Sequence, residues 1–319
     1  MSKWLSVVFA VRALPLVTTF PTLTVRPTEL GSLTFVRLRP LLTELTQQYM
    51  YAPVAFAPER LSVPKSKTPL LSSGVFCYNM RRIAILDERA SDVVIRSLEL
   101  RGYSVITLPS YSRLGEAVRS HTDMLIFKAD KTLFTYADYC DERPYVFDDI
   151  YTLLKDKGYK FSFMPEIPSK EYPKDALINM LVMGRTVFAK TDSISKSVLN
   201  QLSKNGYETV HVKQGYPACT VLRLNESAAI TSDRGMARAM SDRGIRVTLI
   251  DSGYFSLPPH EYGFIGGSAG TDGGSVYFTG RIDAHPDYEK IIRAIESEGM
   301  KAVSLSSDVP VDVGGILFC

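Results

Sequence analysis

LLKDKGYKFSFMP (Leu153–Pro165) joins the charged end of a helical pattern to a β-rich run through one glycine. The same arrangement recurs in SLELRGYSVITLP (Ser97–Pro109), QLSKNGYETVHVK (Gln201–Lys213), AMSDRGIRVTLID (Ala239–Asp251) and AIESEGMKAVSLS (Ala294–Ser306). In every copy the glycine (Gly102, Gly158, Gly206, Gly244, Gly299) stands where a helix must end in the left-handed conformation that a Cβ penalises. Upstream, apolar residues keep helical spacing, as in Ile150, Leu153 and Leu154, or Tyr288, Ile291, Ile292 and Ile295. Downstream they alternate, as in Phe161 and Phe163, or Val247 and Leu249, which predicts half-buried strands.

A second strand is expected in each unit, at Met124–Phe127, Thr186–Ala189, Ala228–Thr231, Val276–Thr279 and Ile316–Phe318. Ser91, Asp148, Ser193 and Ser232 are expected helix caps, and Pro286 an expected first helical residue. One such unit cannot bury its own apolar faces, whereas five arranged in a ring can, and closure also removes exposed sheet edges. The predicted fold class is therefore α/β, a closed five-bladed α/β propeller. A doubly wound sheet also alternates helix and strand. Against it, the best glycine-rich run, GFIGGSAGTDGG (Gly263–Gly274), comes late in the chain with no clear helix after it. It reads as a glycine-bent turn before it reads as a phosphate loop for a nucleotide.

Composition sets the boundaries. The 319 residues are 45% hydrophobic, enough for a large core, and the net charge of +3 lacks the electrostatic footprint of a nucleic-acid binder. Residues 1–79 differ from the rest: before Val75 they hold eight prolines and eight basic residues against three acids, which predicts a poorly ordered extension. The apolar stretch Trp4–Phe20 is interrupted by Arg12 and followed by no clear cleavage pattern, so neither a signal peptide nor a membrane span is expected. Translation from a start near Met80 is an alternative account of the extension. Residues 80–319 form the repeat domain. Cys77, Cys140, Cys219 and Cys319 show no CxxC spacing, so neither a disulfide framework nor a zinc knuckle is expected, and a cytoplasmic setting follows. No cofactor and no metal site is predicted.

With the five units stand His121-Thr122-Asp123 and, at the end of the sequence, GGILFC (Gly314–Cys319). These resemble the His-x-Asp and C-terminal GGxxxC motifs of the guanidino-group-modifying, or pentein, superfamily, whose fold is five ββαβ units about a pseudo-fivefold axis. The stretches KQGYPACT (Lys213–Thr220), ITSDRG (Ile230–Gly235) and YGFIGG (Tyr262–Gly267) are similar to a bacterial family assigned the same fold without an established activity. The resemblance spans about Ile83 to Cys319. It implies a cysteine hydrolase or deiminase of a small guanidino or amidine compound, with His121 as general acid/base and Cys319 as nucleophile. It equally allows a catalytically silent binding module for a ribosome or protein partner. Cys319 is the last residue given, which places a carboxylate beside the sulfur, and a neighbouring anion disfavours a thiolate.

Counted from the repeat glycines, His121, Asn179, Gly266 and Cys319 fall at offsets of 19, 21, 22 and 20 residues, which predicts equivalent positions near the axis. Cys219 falls 13 after Gly206, in the shortest unit, and is the second candidate nucleophile; its alternative is a small buried hydrophobe. His121 is as readily a histidine packed beside a strand. Asp123, Glu166, Asp251 and Asp308 are candidate cation contacts near strand ends. Gln214, Gly266 and Gly267 complete the expected substrate-binding set.

Overall fold

The structure, a computed structural model, describes residues 82–319 together with two short strands, Leu5–Val7 and Leu23–Val25, that pair antiparallel. Those two strands apart, the extension up to residue 79, with Cys77, and Met80 lie outside the described residues. The chain divides into two units, Met1–Ser73 and Gly74–Cys319, and the repeats lie in the second.

Five three-stranded sheets share one internal order: a first strand, an antiparallel second strand in the middle, a helical crossover, and a third strand parallel to the second. Phe127–Ala129, Thr132–Tyr136 and Lys160–Met164 form one. Leu181–Met183, Thr186–Ala189 and Glu208–His211 form the next. Val221–Arg223, Ala228–Thr231 and Arg246–Leu249 follow, then Ala269–Asp272, Ser275–Phe278 and Lys301–Ser304. The fifth sheet draws on distant parts of the chain. Its middle and third strands are Arg82–Asp87 and Tyr103–Leu108, and its first is Leu317–Phe318, antiparallel to Arg82–Asp87.

The expected mechanism of the helix-to-strand turn holds at all five glycines, whose φ angles run from +72° to +85°. An added Cβ would meet nothing within 4 Å at any of them, so backbone conformation and not crowding selects glycine. The crossover helices bury one stripe each: Val94 and Leu98, Val198 and Leu202, Met236 and Met240, Ile291 and Ile295. Each pair is four residues apart, the spacing that puts side chains on one face, and each large apolar side chain contributes roughly 1.5–3 kcal/mol of burial.

Five local readings change. Ser195 and Asp233, not Ser193 and Ser232, cap their helices, because their side-chain oxygens reach the amides of Val198 (3.3 Å) and Met236 (2.8 Å). Asp148 lies within the helix Pro144–Leu154, and Pro286 precedes the helix Tyr288–Ser297. The strand expected from Met124 begins at Phe127, because Thr122–Leu125 closes a helical turn instead. The glycine-bent turn expected within Gly263–Gly274 is present: Gly273 and Gly274, both at positive φ, join the paired strands Ala269–Asp272 and Ser275–Phe278, as a two-residue turn of that hand requires.

Among the described residues no helix is long and apolar enough to cross a membrane.

Candidate active site

The residues just before the first strand of each sheet converge. Asn179, Cys219, Gly267 and Gly315 each stand two positions ahead of such a strand, and the helical turn Thr122–Leu125 ends two positions ahead of Phe127. Asp123, Leu181, Val221, Gly270 and Ile316, one from each of the five segments, line a single cavity of about 200 Å³.

Cys219, on the turn Pro217–Thr220, directs its thiol at Asp123 Oδ2, 2.6 Å away. Asn179 Nδ2 donates to the same sulfur at 3.3 Å, while Asn179 Oδ1 accepts from the Ala218 amide at 2.9 Å, so the backbone fixes which way the amide side chain points. His121 is buried against the pair, its ligand atom within 4.8 Å of those of Asp123 and Cys219. Neither ring nitrogen has a hydrogen-bond partner. Two buried carboxylates flank the ring: Asp87 Oδ2 lies 4.0 Å from Nε2 and Asp312 Oδ1 lies 3.8 Å from Nδ1. Asp87 is held by the Arg89 side chain at 2.6–3.2 Å and by Ser120 Oγ at 2.8 Å. Asp312 accepts from the amides of Phe264 (2.9 Å) and Gly314 (3.1 Å).

Glycine is required where these elements touch. A Cβ on Gly314 would lie 2.5 Å from His121 Cβ and 2.8 Å from Asp123 Oδ1, and one on Gly267 would lie 1.9 Å from Asp312 Oδ1. Gly266 meets the carbonyls of Ala218, Val221 and Cys219 just as closely. The two glycines expected at the site thus serve it by letting backbones approach.

A second cavity, of about 320 Å³, is lined by His121, Cys219, Tyr216 and Asp312, with the exposed His260 and Glu261 also among its lining residues. Its size is at the lower end of small-molecule sites, about 300–1,000 Å³.

Burial dominates the electrostatics. It lowers the His121 pKa to about 4, only partly countered by the charge of Asp87. Burial, and then the charge of Asp312, raises Asp123 to about 8 although Cys219 and Asn179 donate to it. The Cys219 thiol is pushed well above its ordinary range by burial and by Asp123. Asp312 rises to about 6 on burial, held back by its two amide donors. At neutral pH the centre therefore holds a neutral imidazole, a protonated Asp123–Cys219 pair and an ionised Asp312.

The expected set separates cleanly. His121, Asp123, Asn179, Cys219, Gly266 and Gly267 come together, whereas Cys319 does not join them: its backbone pairs with Ile83 and its thiol faces Tyr159 and Lys128. The reason is register, since Gly315 and not Cys319 occupies the position before the strand. Gln214 is bound to Asp233 (2.7 Å) and Glu166 to Ser195 (2.9 Å) and Ser197 (2.8 Å). Asp251 and Asp308 are exposed, each beyond the end of the third strand of its sheet. Asp87 and Asp312 were not foreseen, although an apolar run ending in a carboxylate, RIAILD, is a signal in itself. A metal-capable grouping was not foreseen either, because its three members lie on two separate turns.

A family model described as "Family of unknown function (DUF6873)" matches residues 85–317. No curated protein matches the chain. Solved structures similar to it include SxtG, an amidinotransferase from Microseira wollei in the saxitoxin biosynthetic pathway, at 13% identity and a TM-score of 0.43, over 66% of this chain and 72% of that one. A dimethylarginine dimethylaminohydrolase is similar at 11% identity and 0.45, over 71% and 92%, and a C. jejuni agmatine deiminase at 7% and 0.43, over 71% and 86%. These are enzymes of the guanidino-group-modifying superfamily that the sequence resembles.

Proposed function

The chain belongs to the family of unknown function DUF6873, and for it we propose a thiol-dependent hydrolase or deiminase of a small guanidino or amidine compound, with Cys219 as nucleophile. The observation that carries the proposal is the 2.6 Å contact of Cys219 Sγ with Asp123 Oδ2 beside a cavity that also holds His121 and Asp312. The ring is part of the proposal: the five sheets close about the axis on which these residues sit. Supporting closure are the pairing of Leu317–Phe318 with Arg82–Asp87 and the cavity lined from all five segments.

A cationic substrate draws its selectivity from Asp312, ionised at neutral pH and facing the cavity, and from Glu261, also among its lining residues. A cation also favours ionised Asp123, which then takes the thiol proton. The thiolate attacks the central carbon, forming a C–S bond, and the C–N bond breaks as the leaving amine takes a proton from Asp123. His121, neutral at rest, accepts a proton from water as the new C–O bond forms and the C–S bond breaks, and returns it to sulfur. Water and a guanidino group thereby give a ureido group and an amine. A reduced thiol of this kind fits a cytoplasmic protein. A small molecule, and not nucleic acid, is the proposed partner.

The raised Cys219 pKa favours one other reading, a silent member of the fold that binds a cation without turnover. A panel of guanidino and amidine compounds, assayed for ammonia and ureido product, separates the two. Turnover lost in Cys219→Ser and kept in Cys319→Ser is the expected result. Calorimetric binding of a guanidino compound without turnover selects the silent reading. Absence of both turnover and binding, with Cys219 unlabelled by an amidine-bearing thiol probe, overturns the proposal.

A further inference from the structure

We propose that His121, Asp123 and Cys219 form a binding site for a divalent transition metal, zinc by preference, with its open coordination position facing the cavity beside Tyr216. One imidazole nitrogen, one carboxylate oxygen and one sulfur lie within 4.8 Å of one another. Tetrahedral zinc, with bonds of about 2.0–2.3 Å, separates its ligands by roughly 3.3–3.6 Å. The existing distances, from 2.6 Å for the thiol and carboxylate up to 4.8 Å, bracket that edge, so side-chain adjustments suffice.

Three buried atoms at the centre lack partners: both ring nitrogens of His121 and Oδ1 of Asp123. His121 is 1% exposed, and an unpaired buried polar group costs about 1–3 kcal/mol, so a ligand that satisfies these atoms gains directly. The surroundings are those of a metal centre as well. Ligating histidines commonly donate their second ring nitrogen to a carboxylate, and whichever nitrogen takes the metal, a carboxylate stands near the other, Asp87 at 4.0 Å or Asp312 at 3.8 Å. Asn179 Nδ2 donates to the sulfur, as an N–H does to a bound thiolate.

The donor set selects the ion. Thiolate with imidazole suits zinc and its neighbours, whereas magnesium and calcium demand oxygen ligands. Three protein ligands leave a fourth position, which is the arrangement of sites that bind water or substrate at the metal. A thiol must lose its proton to become a metal ligand, so metal binding releases protons. The inference does not rest on the hydrolase reading, and a metal and a substrate carbon would compete for one sulfur.

The test uses the full chain freed of metal, titrated with Zn²⁺ and Co²⁺ by calorimetry and absorption. Expected are one metal per chain, a thiolate-to-cobalt charge-transfer band, and proton release seen as a dependence of the heat on buffer ionisation. Cys219→Ser removes the band and weakens affinity by about tenfold or more, since even outer partners of a metal site carry that much. Cys140→Ser and Cys319→Ser leave both unchanged. Should Cys219→Ser fail to fold, alkylation of the unmodified chain mapped by mass spectrometry decides: zinc must protect Cys219. Absence of binding, cobalt binding without a thiolate band, or protection confined to other cysteines overturns the proposal. None of these readouts involves turnover of a guanidino compound.

Discussion

Cys219 and Asp123 are 96 positions apart in sequence, yet the thiol of one points at the carboxylate of the other across 2.6 Å. The contact acts in opposite senses on its two ends: the carboxylate raises the cost of ionising the thiol, whereas the thiol's donated hydrogen bond favours ionised Asp123 and only partly offsets the burial that keeps it protonated.

Thiol reactivity follows from that contact. With the other cysteines replaced by serine, Cys219 should react slowly with iodoacetamide at neutral pH, because burial disfavours the thiolate, and above about pH 8 the ionised Asp123 disfavours it further. Asp123→Asn removes that charge, so the rate above about pH 8 should rise and the midpoint of the rate–pH profile should move down. A midpoint that stays in place would show that the carboxylate does not govern the thiol.

Stability should depend on pH with a definite sign. Asp123 has its folded pKa raised from 3.8 to about 8, so the native state binds more protons over that range and stability falls as pH rises through it. His121, lowered from 6.5 to about 4, acts oppositely, but only below pH 6.5. Between pH 6.5 and 8 the Asp123 contribution stands alone of the two, up to about 2 kcal/mol at 1.36 kcal/mol per pH unit. Urea denaturation should show this decline in the unmodified protein and a flatter profile in Asp123→Asn.

Two glycines distinguish conformation from crowding. Gly102→Ala introduces left-handed strain alone, about 1–2 kcal/mol, since its Cβ would meet nothing. Gly314→Ala adds to similar strain a collision with His121 and Asp123, typically another 1–3 kcal/mol. The difference between the two midpoints in urea reads the tightness of the site. Equal losses would mean that the His121 turn yields freely.

Phe318 is the apolar link at the fifth sheet. It is buried, with its ring 5.0 Å from Tyr103 and 5.4 Å from Tyr277, a residue of a different sheet. Phe318→Ala should cost about 3–5 kcal/mol, as for other large core truncations. Leu100→Ala, at an exposed position, should cost little and serves as the comparison. A small effect at Phe318 would mean that the short strand Leu317–Phe318 contributes little to closing the fifth sheet.

The repeat was legible because one backbone requirement recurs. A left-handed residue between helix and strand leaves glycine in the sequence wherever it occurs, and the i, i+4 apolar pairs around it are equally local. The site was legible only in part. Counting from the repeat glycines found Asn179 and Gly266 but placed Cys319 where Gly315 stands, because loops of unequal length intervene between glycine and site. The start of the first strand is the better reference, and it depends on pairings between segments that no single window contains. The turns Thr122–Leu125 and Pro217–Thr220, which aim Asp123 and Cys219, are too short to leave a helical period. Asp87 and Asp312 became visible only when the fold placed them either side of one imidazole.

The antiparallel pairing of Leu317–Phe318 with Arg82–Asp87 bears on how the protein is made. During synthesis Arg82–Asp87 leaves the ribosome early, and its partner on that side arrives only after the other four sheets have been translated. Four sheets can assemble from neighbouring segments as they emerge, while the fifth waits with one edge open, an invitation to pair with another nascent chain. The slow step in reaching the native state should therefore be the docking of the last strand, and crowded polysomes are where mispairing would be most costly.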